Sequence, residues 1–280
     1  MISFIEPLDI ELQNKLEKLE SYIKELGSLA VGFSGGVDSS FLLAVAHEVL
    51  GDNVIAVTGA DASVPERELK AAKAFCEERG IRHIVCTVDP LKEEGYRHNS
   101  PDRCYFCKHG IFTEVKKIAD ENGIKYMAEV SNMDDIGDYR PGLKAAAELA
   151  VKSPLRECGL YKSDIRMISK AMGLPTWSKP AYACLASRFV YGEEITEEKL
   201  RMIDEAEQFL IENGFLEERV RMHGKMARIE VPVRDIMRLA EDKMREAVYA
   251  RLKQIGFQFV TLDLKGYKQG SMNATLQSGV

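Results

Sequence analysis

The sequence predicts an α/β fold, a doubly wound parallel sheet followed by a smaller α+β C-terminal domain. Three observations point to it. Over residues 29–172, short apolar, β-branched runs alternate with amphipathic helical stretches, the pattern of parallel strands covered by helices on both faces. The first run breaks into Ser34-Gly35-Gly36 and re-enters a helix, so a strand–turn–helix unit stands at the head of the sheet. After about residue 190 the rhythm changes to a helix, two short strands around Gly224, another helix and a strand. The expected domains are 1–188 and 189–280.

Taken in order, residues 10–26 form an amphipathic helix with a Glu/Lys-rich outer face. Residues 29–33 read as a short buried strand, 39–50 as the helix after the glycine turn, and 53–58 as the second strand. Residues 65–79 form a helix with Pro65 in its first turn and Gly80 past its end. Residues 83–88 are the third strand, 106–122 a helix closed by Gly123, and 125–130 the fourth strand. Residues 141–150 are a helix, a short strand lies near Val151, and 162–172 are a helix ended by Gly173. In the second domain 196–213 are a helix whose Glu197 and Glu198 suit its positive end. Residues 220–223 and 227–231 are strands, 234–254 one long helix, and 257–264 the last strand, before a polar tail over 266–280 that reads as loose.

A chain of 280 residues suits one large or two modest domains. Its net charge of -6 argues against a general nucleic-acid binder while leaving room for a local basic patch. Residues 1–14 lack the basic flank and long apolar core of a signal peptide, and no apolar run approaches the roughly 20 residues that span a bilayer. The expected location is therefore the cytoplasm, with no membrane partner. The 6 cysteines then point to burial, catalysis or metal binding rather than disulfides.

The glycine turn carries the strongest chemical signal. A strand, a glycine pair and a helix N-terminus aim backbone N–H groups and a dipole at one anion. Gly35 and Gly36 allow positive φ and close approach, and Ser34, Ser39 and Ser40 add hydroxyls. The Gly-Lys-Ser/Thr ending of the common P-loop and the G-x-G-x-x-G of dinucleotide folds are both absent. The segment matches S-G-G-x-D-S and so resembles the PP-loop of the ATP pyrophosphatases, the adenine nucleotide alpha hydrolase-like type. That resemblance implies splitting of ATP into bound AMP and pyrophosphate, with Asp38 holding Mg2+ against the phosphates.

Directly after the fourth strand, Asp134, Asp135 and Asp138 crowd together. Neighbouring carboxylates are costly without a cation, which a magnesium–phosphate site supplies. Asp135 is the preferred member; a surface turn before a helix at Pro141 is the alternative. Thr58, Gly59 and Met127 lie at ends of neighbouring strands and either border the adenine or are ordinary core and turn residues.

Cys104-Tyr105-Phe106-Cys107-Lys108 stands at a helix start, where Arg103, Lys108 and the dipole favour thiolate. A lone C-x-x-C leaves a redox pair, half a zinc site and chance open, and no second C-x-x-C completes a zinc site. With Cys184, near the domain junction, there are three cysteines, enough to hold a 4Fe–4S cluster with one iron open to an outside ligand. Cys76, Cys86 and Cys158 read as structural. Arg219, Arg221 and His223 alternate along one strand and share a face. With Glu230 on the next strand, this row is either a phosphate site or the polar outer face of an edge strand.

The loop at Ser34, Arg103 to Lys108, Ser131 to Gly142, Ala183-Cys184-Leu185-Ala186-Ser187-Arg188, Tyr191 to Thr196 and Arg219-Val220-Arg221 to Glu230 recur in one order. Together they resemble the LarE-type ATP-dependent sulfur transferases of nickel-pincer nucleotide cofactor synthesis, over nearly the whole chain. The resemblance implies adenylation of the carboxylates of pyridinium-3,5-biscarboxylic acid mononucleotide by ATP and Mg2+, then conversion to thiocarboxylates by a sulfur nucleophile. It implies that Arg219 and Arg221 bind substrate phosphate, that Ser187 and Arg188 face the sulfur-transfer chamber, and that Glu207 and Glu230 lie near a metal. It also implies a C-terminal domain that serves substrate binding or assembly, and a homo-oligomer, typically a hexamer.

Such proteins use two sulfur sources. In one, the cysteine matching Cys184 gives up its own sulfur and is left as dehydroalanine. In the other, a 4Fe–4S cluster on three cysteines carries hydrosulfide. Cys104 and Cys107, which the first route does not need, favour the second. A tRNA thiolase of the same superfamily is the nearest rival, but zinc-binding C-x-x-C pairs and a basic surface are missing. An ammonia-using synthetase would leave the three cysteines without a role, and a nucleotide-binding regulator without catalysis would have no use for the intact Ser34, Gly35, Gly36 and Asp38.

Overall fold

Asp9 opens the first helix: its carboxylate accepts the Leu12 N–H at 2.9 Å, and α1 (Ile10–Leu26) turns Leu12, Leu16, Leu19 and Ile23 inward at helical spacing. This computed structural model describes residues 2, 4–136, 141–180 and 183–268. The expected loose tail lies mostly, from residue 269, outside the described residues, as does Asp138.

The larger unit comprises residues 1–90 and 104–182. Its elements run β1 (Leu29–Gly32), α2 (Val37–Leu50), β2 (Val54–Ala60), α3 (Glu66–Glu78) and β3 (His83–Thr87). A short α4 (Glu94–Arg97) belongs to the other unit. Then come α5 (Arg103–Glu121), β4 (Tyr126–Ala128), α6 (Pro141–Glu148), α7 (Pro154–Glu157) and α8 (Lys162–Ala171). The strands form one sheet, order β3-β2-β1-β4, with every pairing parallel.

Alternation along the strands explains the two-sided cover. Leu29, Val31, Val54 and Ala56 join α1, α2 and α8 in one core cluster, while Ala30, Ile55 and Val57 pack with Phe112, Val115 and Ile118 of α5 in another. The chain winds outward from β1 to β3 and then crosses back to place β4 on the other side of β1. The order therefore reverses between β1 and β4, and the loops at their carboxyl ends border the crevice where such sheets bind ligands.

The second unit comprises residues 91–103 and 183–280. It contains α9 (Glu197–Glu212), β5 (Arg219–His223), β6 (Met226–Glu230), α10 (Val233–Ala240), α11 (Asp242–Ile255) and β7 (Phe259–Leu262). Strands β5 and β6 pair antiparallel, and β6 pairs parallel with β7. Residues 91–103 join it through Asn99, a buried residue at φ 47. The Asn99 amide donates to the carbonyls of Phe189 and Val190 at 3.2 and 2.7 Å, and its oxygen accepts Arg103 Nη1 at 2.7 Å.

Three sequence expectations are corrected. The long helix over 234–254 is two, α10 and α11, broken where Glu241 takes an extended backbone (φ -57, ψ 141). In one straight helix Leu239 would face away from Val248 and Leu252, and all three are buried, so the break lets both segments reach the core. The strand near Val151 is a single bridge, Ala128 to Lys152. The helix carrying Cys104 starts at Arg103, three residues before the expected start, so both cysteines lie in its first turns. Among the described residues no helix is long and apolar enough to cross a membrane.

Candidate active site

The loop after β1 is held from several sides. Phe33 donates its N–H to Val57 at 2.8 Å, and its carbonyl accepts the Thr58 hydroxyl at 2.7 Å. That hydroxyl donates its one hydrogen to the Phe33 carbonyl, so toward His83 Nε2, 2.8 Å away, it acts as acceptor and the ring tautomer carrying Nε2–H is the one that fits. Thr58 thus anchors the strand end that feeds the loop. Ser39 sits inside the turn, with its Oγ 3.4 Å from the Ser34 N–H, 3.2 Å from Ser34 Oγ and 3.2 Å from the Gly36 carbonyl. Gly35 has φ +68, and a Cβ there would meet Ala72 at 3.3 Å. Gly36 is the N-cap of α2, so the helix dipole and its first N–H groups open onto the loop.

Asp38 lies in the first turn of α2. One carboxylate oxygen takes Lys162 Nζ at 2.5 Å, and the other, Oδ1, is buried with no hydrogen-bond partner. Burial pushes the Asp38 pKa up, Lys162 opposes the shift, and the charge of Asp135 adds to it. Asp135 and Asp38 therefore share one electrostatic environment. Asp135 is buried and accepts the Asn132 N–H at 3.0 Å. Asp134 is used differently: it accepts the Lys162 backbone N–H at 2.7 Å and caps α8. Met127 is a buried residue of β4, the strand beside β1.

Two lysines at this loop escaped the sequence reading, Lys162 on Asp38 and Lys179, whose Nζ donates to the Gly35 carbonyl at 3.0 Å. Lys162 left a clue. A cation in the first turn of a helix opposes the macrodipole, and here Asp38 offsets that penalty. Glu129, just past β4, was also missed. It is buried and accepts Ser131 Oγ at 2.6 Å and Ser153 Oγ at 2.5 Å, with Lys108 Nζ at 3.9 Å.

The cysteines divide by accessibility. Cys104 and Cys184 are exposed and Cys107 half-buried, whereas Cys76 and Cys158 are buried. Burial pushes the Cys76 thiol up to about 12 and the Cys158 thiol to about 11, and it also raises Cys86, so these three are poor thiolates. Cys104 and Cys107, three apart on α5, lie on one side of the helix. Among the described residues no three His, Cys, Asp or Glu side chains are grouped to hold a metal ion.

In the second unit the expected residues converge around a turn, Leu185–Arg188. Arg188 is fully buried and forms a two-pronged pair with Glu207, Nε to Oε1 at 2.8 Å and Nη2 to Oε2 at 2.9 Å. Its Nη1 donates to the carbonyls of Ala183 and Cys184 and to Ser187 Oγ. Arg221 pairs with Glu230 at 2.9 Å and donates to the Ser187 carbonyl at 3.1 Å, and Arg219 lies over the Tyr267 ring at 4.9 Å. The Cys184 turn is thus fixed by Arg188 and Arg221. Both faces of β5 are buried except at His223, so the row is no solvent-facing edge. Glu207 and Glu230 supply the counter-charges that make this burial tolerable.

Burial alone would raise the Glu207 pKa. Arg188, with the Val220 N–H, holds the carboxyl below its ordinary value. Removing that carboxylate leaves the Arg188 charge buried without its counter-charge, held only by the Ala183 and Cys184 carbonyls and Ser187 Oγ. Glu207→Ala is therefore expected to lower stability by about 3–5 kcal/mol, read from the denaturant midpoint. An unchanged midpoint would show that solvent reaches Arg188.

Comparison with known proteins decides the family. A pyridinium-3,5-bisthiocarboxylic acid mononucleotide synthase of Lactiplantibacillus plantarum is 36% identical over 95% of this chain and 96% of its own length. The chain belongs to this family, the LarE-type sulfur transferases. An uncharacterized protein of Synechocystis sp. is 40% identical over 95% of the chain and 99% of its own length. A component of the glutamine-hydrolyzing GMP synthase of Archaeoglobus fulgidus is 26% identical over 73% of the chain and 71% of its own length, and residues 11–117 match the family described as NAD synthase. The likeness to the synthase covers nearly the whole chain, whereas the NAD synthase match ends at residue 117.

Proposed function

We propose that this chain is an ATP-dependent sulfur transferase that adenylates the ring carboxylates of pyridinium-3,5-biscarboxylic acid mononucleotide and converts them to thiocarboxylates. The observation that carries the reading is the likeness to the Lactiplantibacillus synthase along 95% of the chain, with Ser34, Gly35, Gly36 and Asp38 all present in the loop. A carboxylate is a poor acyl donor because oxide would have to leave. Its attack on the α-phosphate of ATP expels pyrophosphate and installs AMP, which a sulfur nucleophile then displaces.

The loop N–H groups, the start of α2 and the hydroxyls of Ser34, Ser39 and Ser40 serve the departing pyrophosphate. Lys162, now paired with Asp38, is a candidate cation for the same charge. Asp38 and Asp135 would hold Mg2+, which supplies positive charge to the phosphates, and the buried unpartnered oxygen of Asp38 suits a cation. Thr58 and Met127 would border the adenine. By family resemblance Cys104, Cys107 and Cys184 would hold a 4Fe–4S cluster, which would supply hydrosulfide as the nucleophile; all three are accessible while Cys76 and Cys158 are buried, but among the described residues they are not grouped as a ligand set.

In the second unit Arg219 and Arg221 are the candidate cations for the substrate phosphate, and Ser187 and Arg188 shape the Cys184 turn. A metal at Glu207 or Glu230 would require Arg188 or Arg221 to give way, since each carboxylate is now paired with a guanidinium group. A homo-oligomer, hexameric by family resemblance, and a cytoplasmic location complete the proposal. Pyrophosphate release from ATP tests the reading. Release stimulated by the pyridinium mononucleotide supports it, while stimulation by tRNA alone would assign the chain to the thiolases.

A further inference from the structure

We infer that Lys179 is a positioning residue of the nucleotide loop: its ammonium pins the Gly35 carbonyl and thereby turns the Gly36 N–H toward the bound phosphates. This inference rests on the nucleotide reading of the loop given above.

A backbone cradle for an anion must present N–H groups and turn its carbonyls away. At two positions the nearby chain does this. The Phe33 carbonyl takes the Thr58 hydroxyl from the adjacent strand, and the Gly36 carbonyl takes the Ser40 N–H at 2.9 Å and Ser39 Oγ at 3.2 Å. Gly35 is different. Its carbonyl donor is Lys179 Nζ, at 3.0 Å and 144 residues along the chain. A trans peptide is planar, so its C=O and the following N–H point in opposite directions. Fixing the Gly35 oxygen on one side therefore fixes the Gly36 hydrogen on the other.

The hold matters at this peptide because it joins two glycines, Gly35 at φ +68 and Gly36, and neither carries a Cβ to restrict rotation. Lys179 is itself clamped. Its ammonium pairs with Glu68 of α3 at 2.6 Å, and Arg166 of α8 holds the carbonyls of Trp177 and Lys179 at 2.5 and 2.8 Å. One turn beyond Glu68 on α3, Ala72 lies against Gly35. An ammonium bound to both a carboxylate and a carbonyl acts on the loop's shape, with its charge already neutralised.

The test uses Lys179→Met and Glu68→Gln in the full chain, with Mg–pyrophosphate and AMP titrated separately by calorimetry. Lys179→Met is expected to weaken Mg–pyrophosphate about tenfold, the loss of one charge-assisted hydrogen bond, and both variants to leave AMP within about twofold. The Gly36 amide 15N resonance of the ligand-free protein is expected to move in both. An unmoved Gly36 resonance in Lys179→Met would overturn the inference whatever the affinities. Wild-type protein that binds neither pyrophosphate nor AMP would instead refute the nucleotide reading, and the Gly36 resonance still reports on the Lys179 contact alone.

Discussion

Asp38→Ala is expected to abolish pyrophosphate release from ATP, lowering its rate by at least about a hundredfold, the scale for removing one preorganised electrostatic group from a reacting site. The carboxylate lies in the first turn of the helix that leaves the loop, and one of its oxygens is buried without a partner. A buried, unsatisfied carboxylate oxygen is a destabilising feature unless something positive arrives. Stability is expected to change little, because the substitution removes that feature and leaves Lys162, whose side chain is 31% exposed, able to reach water. The measurement is phosphatase-coupled pyrophosphate release, with a melting curve to show the variant is folded. Release at the wild-type rate would mean that Asp38 does not serve the nucleotide.

Cys104→Ala is expected to remove bound iron altogether. If Cys104, Cys107 and Cys184 are the protein ligands, anaerobically isolated protein carries about four irons and matching acid-labile sulfide per chain, with a broad visible absorption. Replacing one of three ligands leaves too few to retain the cluster. Cys76→Ser, at a buried thiol of α3, is the control and should keep the full iron content. Iron-free wild-type protein that still transfers sulfur, and whose Cys184 emerges as dehydroalanine, would establish the sacrificial route and leave Cys104 and Cys107 another task.

The sheet was legible because its signals are local. Leu29 to Val31 and Val54 to Val57 send alternate residues to the two covering layers, and Gly35 and Gly36 mark the turn. The break at Glu241 was not legible, since no proline or glycine interrupts residues 234–254 and only the burial of Leu239 opposite Val248 demands it. Asn99 was silent for a similar reason: its partners at Phe189 and Val190 lie 90 and 91 residues away.

The site divides in the same way. Ser34 to Ser40 and the spacing of Cys104 and Cys107 are contiguous patterns, whereas Lys162 reaches Asp38 across 124 residues and Lys179 reaches Gly35 across 144. Strand periodicity put Arg219, Arg221 and His223 on one face of β5. It had no means of showing that Arg221 would be buried against Glu230 of β6, or that Glu207 of α9 would pair with Arg188 beside the row.

The most direct test of sulfur transfer is an anaerobic reaction of the wild-type protein with ATP, Mg2+, hydrosulfide and pyridinium-3,5-biscarboxylic acid mononucleotide, followed by mass analysis of the mononucleotide. Replacement of oxygen by sulfur at one and then both carboxylates, with AMP formed alongside, is the expected result. A mononucleotide recovered unchanged while ATP is consumed, or sulfur appearing in added tRNA instead, would contradict it.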